Sequence, residues 1–101
     1  MVLHYMEGHT LNFVFDGELD QHCASEVRNT LDNVLEKGNF AEVVFDFEKL
    51  RFMDSTGIGV LLGRYKKLNG KRISMAIRNP NNTIDKILRL SGIYEIIPKL
   101  N

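Results

Sequence analysis

The 101-residue chain has the length of one domain with a single hydrophobic core, and 44% of its residues are hydrophobic, as in ordinary globular proteins. Thirteen basic and thirteen acidic residues cancel, and no basic run of five occurs, which argues against a nucleic-acid or anionic-membrane surface. The single cysteine, Cys23, excludes an intramolecular disulfide and the usual cysteine-based zinc sites. Without an apolar run of about 18 residues or a signal-peptide pattern, a cytoplasmic protein is expected.

The first half of the chain predicts a hairpin, a helix and a buried strand. In "LHYMEGHTLNFVFDGEL" the apolar residues alternate around a turn at residues 7–9, with Leu11, Phe13 and Phe15 on one face. The helix that follows ends at Gly38, and its apolar stripe comprises Ala24, Val27, Leu31, Val34 and Leu35. Residues 41–47 form a nearly continuous apolar run, which is typical of a strand buried on both faces.

The second half predicts two more helices and at least one more strand. In "DSTGIGVLLGRYKKL" the helical face expected to pack on the sheet comprises Ile58, Leu61, Leu62, Tyr65 and Leu68. The basic residues of this region are interpreted as a solvated helix end: Arg64, Lys66, Lys67, Lys71 and Arg72. Residues 71–77 read as a strand with Ile73, Met75 and Ile77 on one side, and the segment after Pro80 reads as a helix that ends at Gly92. Its inward residues are Ile84, Ile87 and Leu88, and the tail "IYEIIPKL" could add a short strand.

The element order is therefore β-β-α-β-α-β-α-(β) in a single domain, residues 1–101. Strands connected through helices pair in parallel, whereas the leading hairpin adds an antiparallel pair. The sequence thus predicts an α/β fold with a small mixed sheet of four to five strands and helices packed on it.

Conventional catalytic motifs are missing, so no enzyme activity is expected. The glycines of "TGIGVLLG" do not fit a dinucleotide-binding loop, and the chain has no phosphate-loop lysine and no hydrolase elbow. A nucleophilic Ser55 would need a histidine base within hydrogen-bond reach, and only His22 is a candidate. The histidines also lack metal-binding spacing, so no metal and no cofactor is predicted.

A pair of hydroxyl residues, Ser55 and Thr56, lies at a predicted helix N-terminus, and these residues have two interpretations. Serine, threonine and aspartate are preferred helix caps, and Asp20 and Asp54 could cap helices in the same way. Capping does not explain the glycines that follow. We expect Gly59 and Gly63 to permit close packing of the helix on a strand. Gly57 is better explained by another molecule that approaches the serine.

The segments "FDGELDQHCA" and "FEKLRFMDSTGIGVLLGRYKKL" together resemble the anti-sigma factor antagonists of the STAS-domain family, and most of all the sporulation members from Gram-positive bacteria. The resemblance implies a small mixed sheet with helices and a protein that is not an enzyme. In its unmodified form such a protein binds an anti-sigma factor that is itself a serine kinase, and so releases the sigma factor. The kinase phosphorylates the serine after the motif aspartate, and a phosphatase removes the phosphate.

Carried over by position, the resemblance assigns Ser55 as the phosphorylated residue and Thr56 as the second hydroxyl. Asp20 and Asp54 match the acidic positions that flank the site, and Gly57 matches the glycine that keeps it accessible. The expected partner-binding set is Asp20, His22, Asp54, Ser55, Thr56, Gly57 and Ile58. Family chains usually continue into a further helix, whereas this sequence stops at Asn101, so either that helix is absent or the chain is shortened.

Two alternatives remain open: a STAS scaffold or regulator in a stress-signalling assembly, and a small nucleotide-binding module that holds a phosphate on the helix amides. A monomer is expected, because no long apolar stripe is left over once the core is assigned.

Overall fold

The computed structural model describes residues 1–100, which form one five-stranded sheet and its helices. The strands are β1 (Val2–Glu7), β2 (Thr10–Leu19), β3 (Glu42–Met53), β4 (Ser74–Arg78) and β5 (Lys99–Leu100). The helices are α1 (Ala24–Lys37), α2 (Ser55–Gly70) and α3 (Asn82–Leu90), and a short 3-10 helix follows at Ile93–Glu95. The predicted order and the mixed α/β sheet are confirmed.

The sheet follows chain order from β1 to β5. The first two strands are antiparallel and are joined by a tight turn in which Gly8 adopts a positive φ of 62°. All later neighbours are parallel, as the helical connections require. Because successive parallel strands are connected by right-handed crossovers in one direction, the three helices lie on the same face of the sheet.

The core lies between that face and the helices. Four phenylalanines form its centre, with ring centroids 5.2–5.6 Å apart between neighbours: Phe13, Phe15, Phe45 and Phe47. Helix α1 contributes the predicted stripe of Ala24, Val27, Leu31 and Leu35, although Val34 is only half-buried. Helix α3 contributes Ile84 and Leu88.

Strand β3 is longer than predicted, since it continues for six residues beyond Phe47. The added part contains Glu48 and Lys49, which interrupt the apolar run and hide the strand from pattern analysis. It pairs with the second half of β2, beyond a register shift at Val14/Asp16 and with a second shift at Gly17/Glu18. This extension carries the chain from the core to the start of α2.

Helix α2 faces the sheet with a different set of residues from the predicted one. Its buried residues are Gly57, Val60, Leu61, Arg64 and Leu68, while Ile58, Leu62 and Tyr65 are half-buried at the margin of the core. The interpretation of Arg64 as solvated is wrong, since its side chain is 7% exposed and its Nε lies 3.1 Å from Asp32 Oδ1 in α1. That N–H is not aligned as a hydrogen bond, so the pair is an ionic contact. Burial lowers the pKa of Arg64, and the Asp32 carboxylate opposes this shift.

Asp85 on α3 forms hydrogen bonds with the C-terminal segment, at Tyr94 and Lys99. Its carboxylate accepts hydrogen bonds from the Tyr94 hydroxyl at 2.6 Å, from Lys99 Nζ at 3.0 Å and from Arg89 Nη1 at 2.9 Å. The Tyr94 bond, followed by the Lys99 bond, lowers the pKa of Asp85. The network connects α3 with the 3-10 helix and with β5.

We expect Asp85→Asn to lower the melting temperature at pH 7, because the substitution removes the charge that attracts Lys99 and Arg89. A carboxyl whose pKa is lower in the folded state stabilises the protein above its unfolded pKa of about 4, and this contribution is lost as pH falls through the folded value. The difference between the two proteins should therefore narrow below about pH 4. Thermal melts from pH 7 to pH 2.5 test this, with Asp16→Asn as the control, because Asp16 makes only an exposed 3.9 Å contact with Arg51. A difference in melting temperature that stays constant from pH 7 to pH 2.5 would show that the charge of Asp85 does not stabilise the fold.

Candidate functional site

The predicted site residues converge because β2 and β3 are parallel and end side by side. Their last residues, Leu19 and Met53, are paired in the register of the sheet. Asp20 and Asp54 directly follow these residues and so lie at the same edge of the sheet. Two motifs that are 34 residues apart in sequence thereby form one surface.

Asp54 connects the two segments through both oxygens of its side chain. Oδ1 accepts hydrogen bonds from the backbone N–H groups of Thr56 at 2.9 Å and Gly57 at 3.2 Å, which makes Asp54 the N-cap of α2, as predicted. Oδ2 accepts a hydrogen bond from the backbone N–H of Gln21 at 3.3 Å. One carboxylate therefore begins the helix and holds the neighbouring loop.

We expect Asp54→Ala to reduce the free energy of unfolding by about 2–3 kcal/mol, since it removes a helix cap worth about 1–2 kcal/mol and one further hydrogen bond worth about 1 kcal/mol. Asp54→Asn keeps one acceptor oxygen and should cost about 1 kcal/mol, because asparagine is an equally good cap but offers an amide to Gln21. Urea unfolding of the three proteins measures both differences. If the Ala and Asn variants are equally destabilised, the cap contributes nothing of its own.

Asp20 orders the loop before α1. Its Oδ1 accepts hydrogen bonds from the backbone N–H groups of His22 at 3.0 Å and Cys23 at 3.3 Å, and the Cys23 thiol donates to the Glu18 carbonyl at 3.2 Å. Capping of α1 by Asp20 was one possible interpretation of the sequence, but the N-cap is Cys23, which makes no side-chain cap bond. Asp20 instead stabilises the turn that leads into the helix and leaves the His22 side chain exposed.

Ser55 is the first residue of α2 and is exposed, while Thr56 is half-buried. Since Asp54 is the cap, the capping interpretation of Ser55 is wrong. Within residues 1–100, no side-chain hydrogen bond involves the Ser55 hydroxyl, and none joins it to His22 as a nucleophile would require. The hydroxyl is presented to solvent on a well-fixed backbone.

The glycines of α2 have roles opposite to those predicted. A Cβ at Gly57 would lie 2.6 Å from Met53 Cγ and 2.8 Å from the Leu19 carbonyl oxygen, so this glycine permits close packing against the ends of β2 and β3. A Cβ at Gly59 or Gly63 would meet nothing within 4 Å. Neither glycine has a side chain on the outer surface of the helix, and Gly59 lies about one helical turn after Ser55. Ile58, the last residue of the predicted set, is half-buried against the core.

Phe52 is a candidate contact residue that sequence analysis missed. Its side chain is 46% exposed two residues before Asp54, in the extension of β3. It pairs in register with Glu18, which lies in β2 two residues before Asp20. The available signal was an aromatic residue in "LRFMD" between the buried Leu50 and Met53.

The structure gives no support to a nucleotide module. The backbone N–H groups of Thr56 and Gly57 are occupied by the Asp54 carboxylate, and that of Ile58 by the Asp54 carbonyl, so the first turn has few free donors for a phosphate. In the described part of the chain, no group of three His, Cys, Asp or Glu side chains could hold a metal ion. Nor does any helix within residues 1–100 have the length and apolar character needed to cross a membrane.

The mixed five-stranded sheet with its three helices agrees with the family comparison. Residues 5–101 match the STAS domain family, and the chain belongs to that family. An anti-sigma F factor antagonist of Paenibacillus polymyxa is 39% identical over 82 residues, which cover 81% of this chain and 70% of that relative.

Two solved structures share the fold and 27% of the sequence. SpoIIAA, an anti-sigma factor antagonist, in its unphosphorylated form has a TM-score of 0.84, with 100% of this chain and 89% of that chain covered. The phosphorylated form of SpoIIAA, described as a Bacillus cell fate determinant, has a TM-score of 0.74, with 100% and 92% covered. The resemblance drawn from the sequence is confirmed for the family and the fold.

Proposed function

We propose that this chain is an anti-sigma factor antagonist that works by partner switching, with Ser55 as the residue that is phosphorylated. Unmodified, it binds an anti-sigma factor that is also a serine kinase, and the sigma factor is released. The kinase phosphorylates Ser55, the complex dissociates, and a phosphatase restores the binding form. Sigma factors work in the cytoplasm, and we place this protein there.

The observation that carries the assignment of Ser55 is its position. A kinase needs an accessible hydroxyl, and Ser55 is exposed, whereas Thr56 is half-buried and its N–H is fixed by Asp54. Phosphorylated and unphosphorylated structures exist for SpoIIAA, which has the same fold. We therefore assign the modification to Ser55 and not to Thr56.

The partner surface that we propose surrounds this serine. The loop of Asp20 and His22 lies on one side, joined to the site by the bond from Gln21 to Asp54. The outer surface of α2 at Gly59, where no side chain projects, lies on the other side. Gly57 is buried and supports this surface from within, and the exposed part of Ile58 belongs to the surface.

The phosphate acts as a switch through charge. Phosphoserine adds about −1.5 to −2 charges at neutral pH, next to Asp54 and close to the loop of Asp20. A unit negative charge on the partner about 6 Å away would be repelled by roughly 1–5.5 kcal/mol for an effective dielectric between 80 and 20. Since 1.4 kcal/mol is a tenfold change in affinity, one such group weakens binding at least severalfold.

The deciding experiment is phosphosite mapping after incubation with ATP and the anti-sigma kinase encoded by the same organism. We expect stoichiometric phosphate on Ser55, none in Ser55→Ala, and normal phosphorylation of Thr56→Ala. Transfer to Thr56, or no transfer while the kinase remains active on a control substrate, would overturn the proposal. The size of the complex tests the scaffold alternative, because a multi-subunit particle would favour it over a lone kinase.

A further inference from the structure

The outer edge of β1 is open and lacks the features that usually protect edge strands. The strand pairs with β2 over six residues without a bulge, contains no proline, lysine or arginine, and carries one charged side chain, Glu7. Strand β5 at the other edge has two residues, one of them Lys99, and follows Pro98. Natural proteins avoid a long, regular and uncharged edge unless it pairs with something.

Exposed apolar side chains are concentrated on this strand. Of the seven large hydrophobic residues that are exposed in the described chain, three lie on β1: Leu3 at 59%, Tyr5 at 45% and Met6 at 48%. Leu3 and Tyr5 lie on one face of the sheet, and Met6 lies on the other, beside Leu11. A strand added at this edge would cover apolar groups on both faces.

The hydrogen bonds show which backbone groups are free. Met1 and Asp16 exchange two backbone hydrogen bonds of 2.8 Å. Bonded and non-bonded pairs alternate along an antiparallel ladder, so Leu3, Tyr5 and Glu7 also bond to β2. The N–H and C=O groups of the intervening residues point to the open edge: Val2, His4 and Met6.

We propose that β1 pairs antiparallel with β1 of a second copy of this chain, with the two-fold axis at His4. In this register His4 lies opposite His4 of the second copy, and Val2 lies opposite Met6, so the three N–H and three C=O groups of each edge are all paired. Leu3 lies opposite Tyr5 of the second copy in the closely spaced, non-bonded positions, where cross-strand side chains interact most.

Charge agrees with the same register. Glu7, the last residue of β1, lies opposite Met1 of the second copy and not opposite another carboxylate. The two Glu7 carboxylates are at opposite ends of the paired strands, and the chain has no net charge to oppose association. The interface is isologous and closes at two copies, forming a ten-stranded sheet.

The pairing does not use the serine site, because β2 separates β1 from β3 and α2. A dimer could therefore present two Ser55 sites at once. One strand on each side is a small interface, so we expect a dissociation constant of roughly 10–500 µM. The proposal differs from the monomer that the sequence predicted. That prediction rested on the absence of a left-over apolar stripe, and apolar stripes do not show which strand lies at an open edge of the sheet.

Sedimentation velocity between 10 µM and 1 mM tests the proposal. The average mass should rise from 11.6 kDa to twice that value. His4→Pro removes an outward N–H and no bond to β2, and Leu3→Lys adds a charge next to Tyr5 of the second copy; each should weaken association at least tenfold. Leu90→Lys changes a leucine that is 74% exposed on α3 and should leave association unchanged. A wild-type protein that is monomeric at 1 mM, or variants that associate like it, would overturn the proposal.

Cross-linking tests the register in a Cys23→Ser background. With His4→Cys, the cysteine of one chain lies opposite the same cysteine of the second chain. Their Cα separation of about 5.5 Å is one that a disulfide accepts, so mild oxidation should yield covalent dimers. Leu3→Cys lies opposite Tyr5 and should cross-link at least tenfold more slowly. Faster cross-linking through Leu3→Cys would overturn the axis at His4.

Discussion

Gly57→Ala should destabilise the protein by about 1–3 kcal/mol, whereas Gly59→Ala, the same change two residues later, should stabilise it by about 0.5–1 kcal/mol. At Gly57 the new methyl group would lie 2.8 Å from the Leu19 carbonyl oxygen, which belongs to the backbone of β2 and cannot move without disturbing the sheet. At Gly59 it would meet nothing within 4 Å, and only the helix-propensity gain remains.

The two variants serve as controls for each other, because they change the same atoms in the same helix. Urea unfolding monitored by circular dichroism gives both free energies. We also expect Gly57→Ala to reduce partner binding only in proportion to its unfolded fraction. Similar stabilities of the two variants would show that the ends of β2 and β3 can move away from α2. The sequence-based interpretation, in which Gly57 gives a partner access to the serine, is wrong, because Gly57 faces Met53 and Leu19 of the same chain.

The second large effect is on binding. Ser55→Asp should weaken the complex with the anti-sigma kinase by at least tenfold, while Ser55→Ala should bind like the unmodified protein. The reason is charge, since the aspartate adds one negative charge beside Asp54 at the surface that we propose the partner covers. Both variants should melt within a few degrees of the wild type, because Ser55 is exposed and makes no side-chain hydrogen bond within residues 1–100.

Calorimetric titration of the kinase with the three proteins measures these affinities. Thr56→Asp serves as the matched control for an added charge at a neighbouring position. If it weakens binding as strongly as Ser55→Asp, the effect reflects general repulsion at the helix start and not a specific site. Tight binding of Ser55→Asp together with tight binding of the phosphorylated protein would refute the switch.

The fold could be predicted where apolar periodicity is strong. The alternation of Leu11, Phe13 and Phe15 identified β2, and the stripe of α1 ended at Gly38 as expected. The second half of β3 could not be predicted, because its charged residues conceal a strand that is held only by the bulged end of β2. The proposed role of Ser55 rests on the family resemblance and not on periodicity.

The buried face of α2 shows a second limit. Two residues on that face, Gly57 and Arg64, have no hydrophobic side chain, so a search for apolar spacing selected Ile58, Leu62 and Tyr65 instead. Arg64 is accommodated because Asp32 of another helix lies 3.1 Å away, a contact that no local pattern can indicate. The sequence locates the candidate site residues along the chain, but their hydrogen bonds and burial depend on the tertiary structure.

The Asp54 carboxylate also couples Ser55 to the backbone of the loop before α1. Because one oxygen holds the Gln21 amide and the other holds the amides of α2, a new negative charge on Ser55 would shift the electron density of a group that both segments share. The amide proton of Gln21 should therefore change its NMR chemical shift on phosphorylation, although it lies 34 residues away in sequence. In Asp54→Ala the chemical shift of the Gln21 amide should no longer change. In the wild-type protein, this one resonance would therefore measure the phosphorylated fraction.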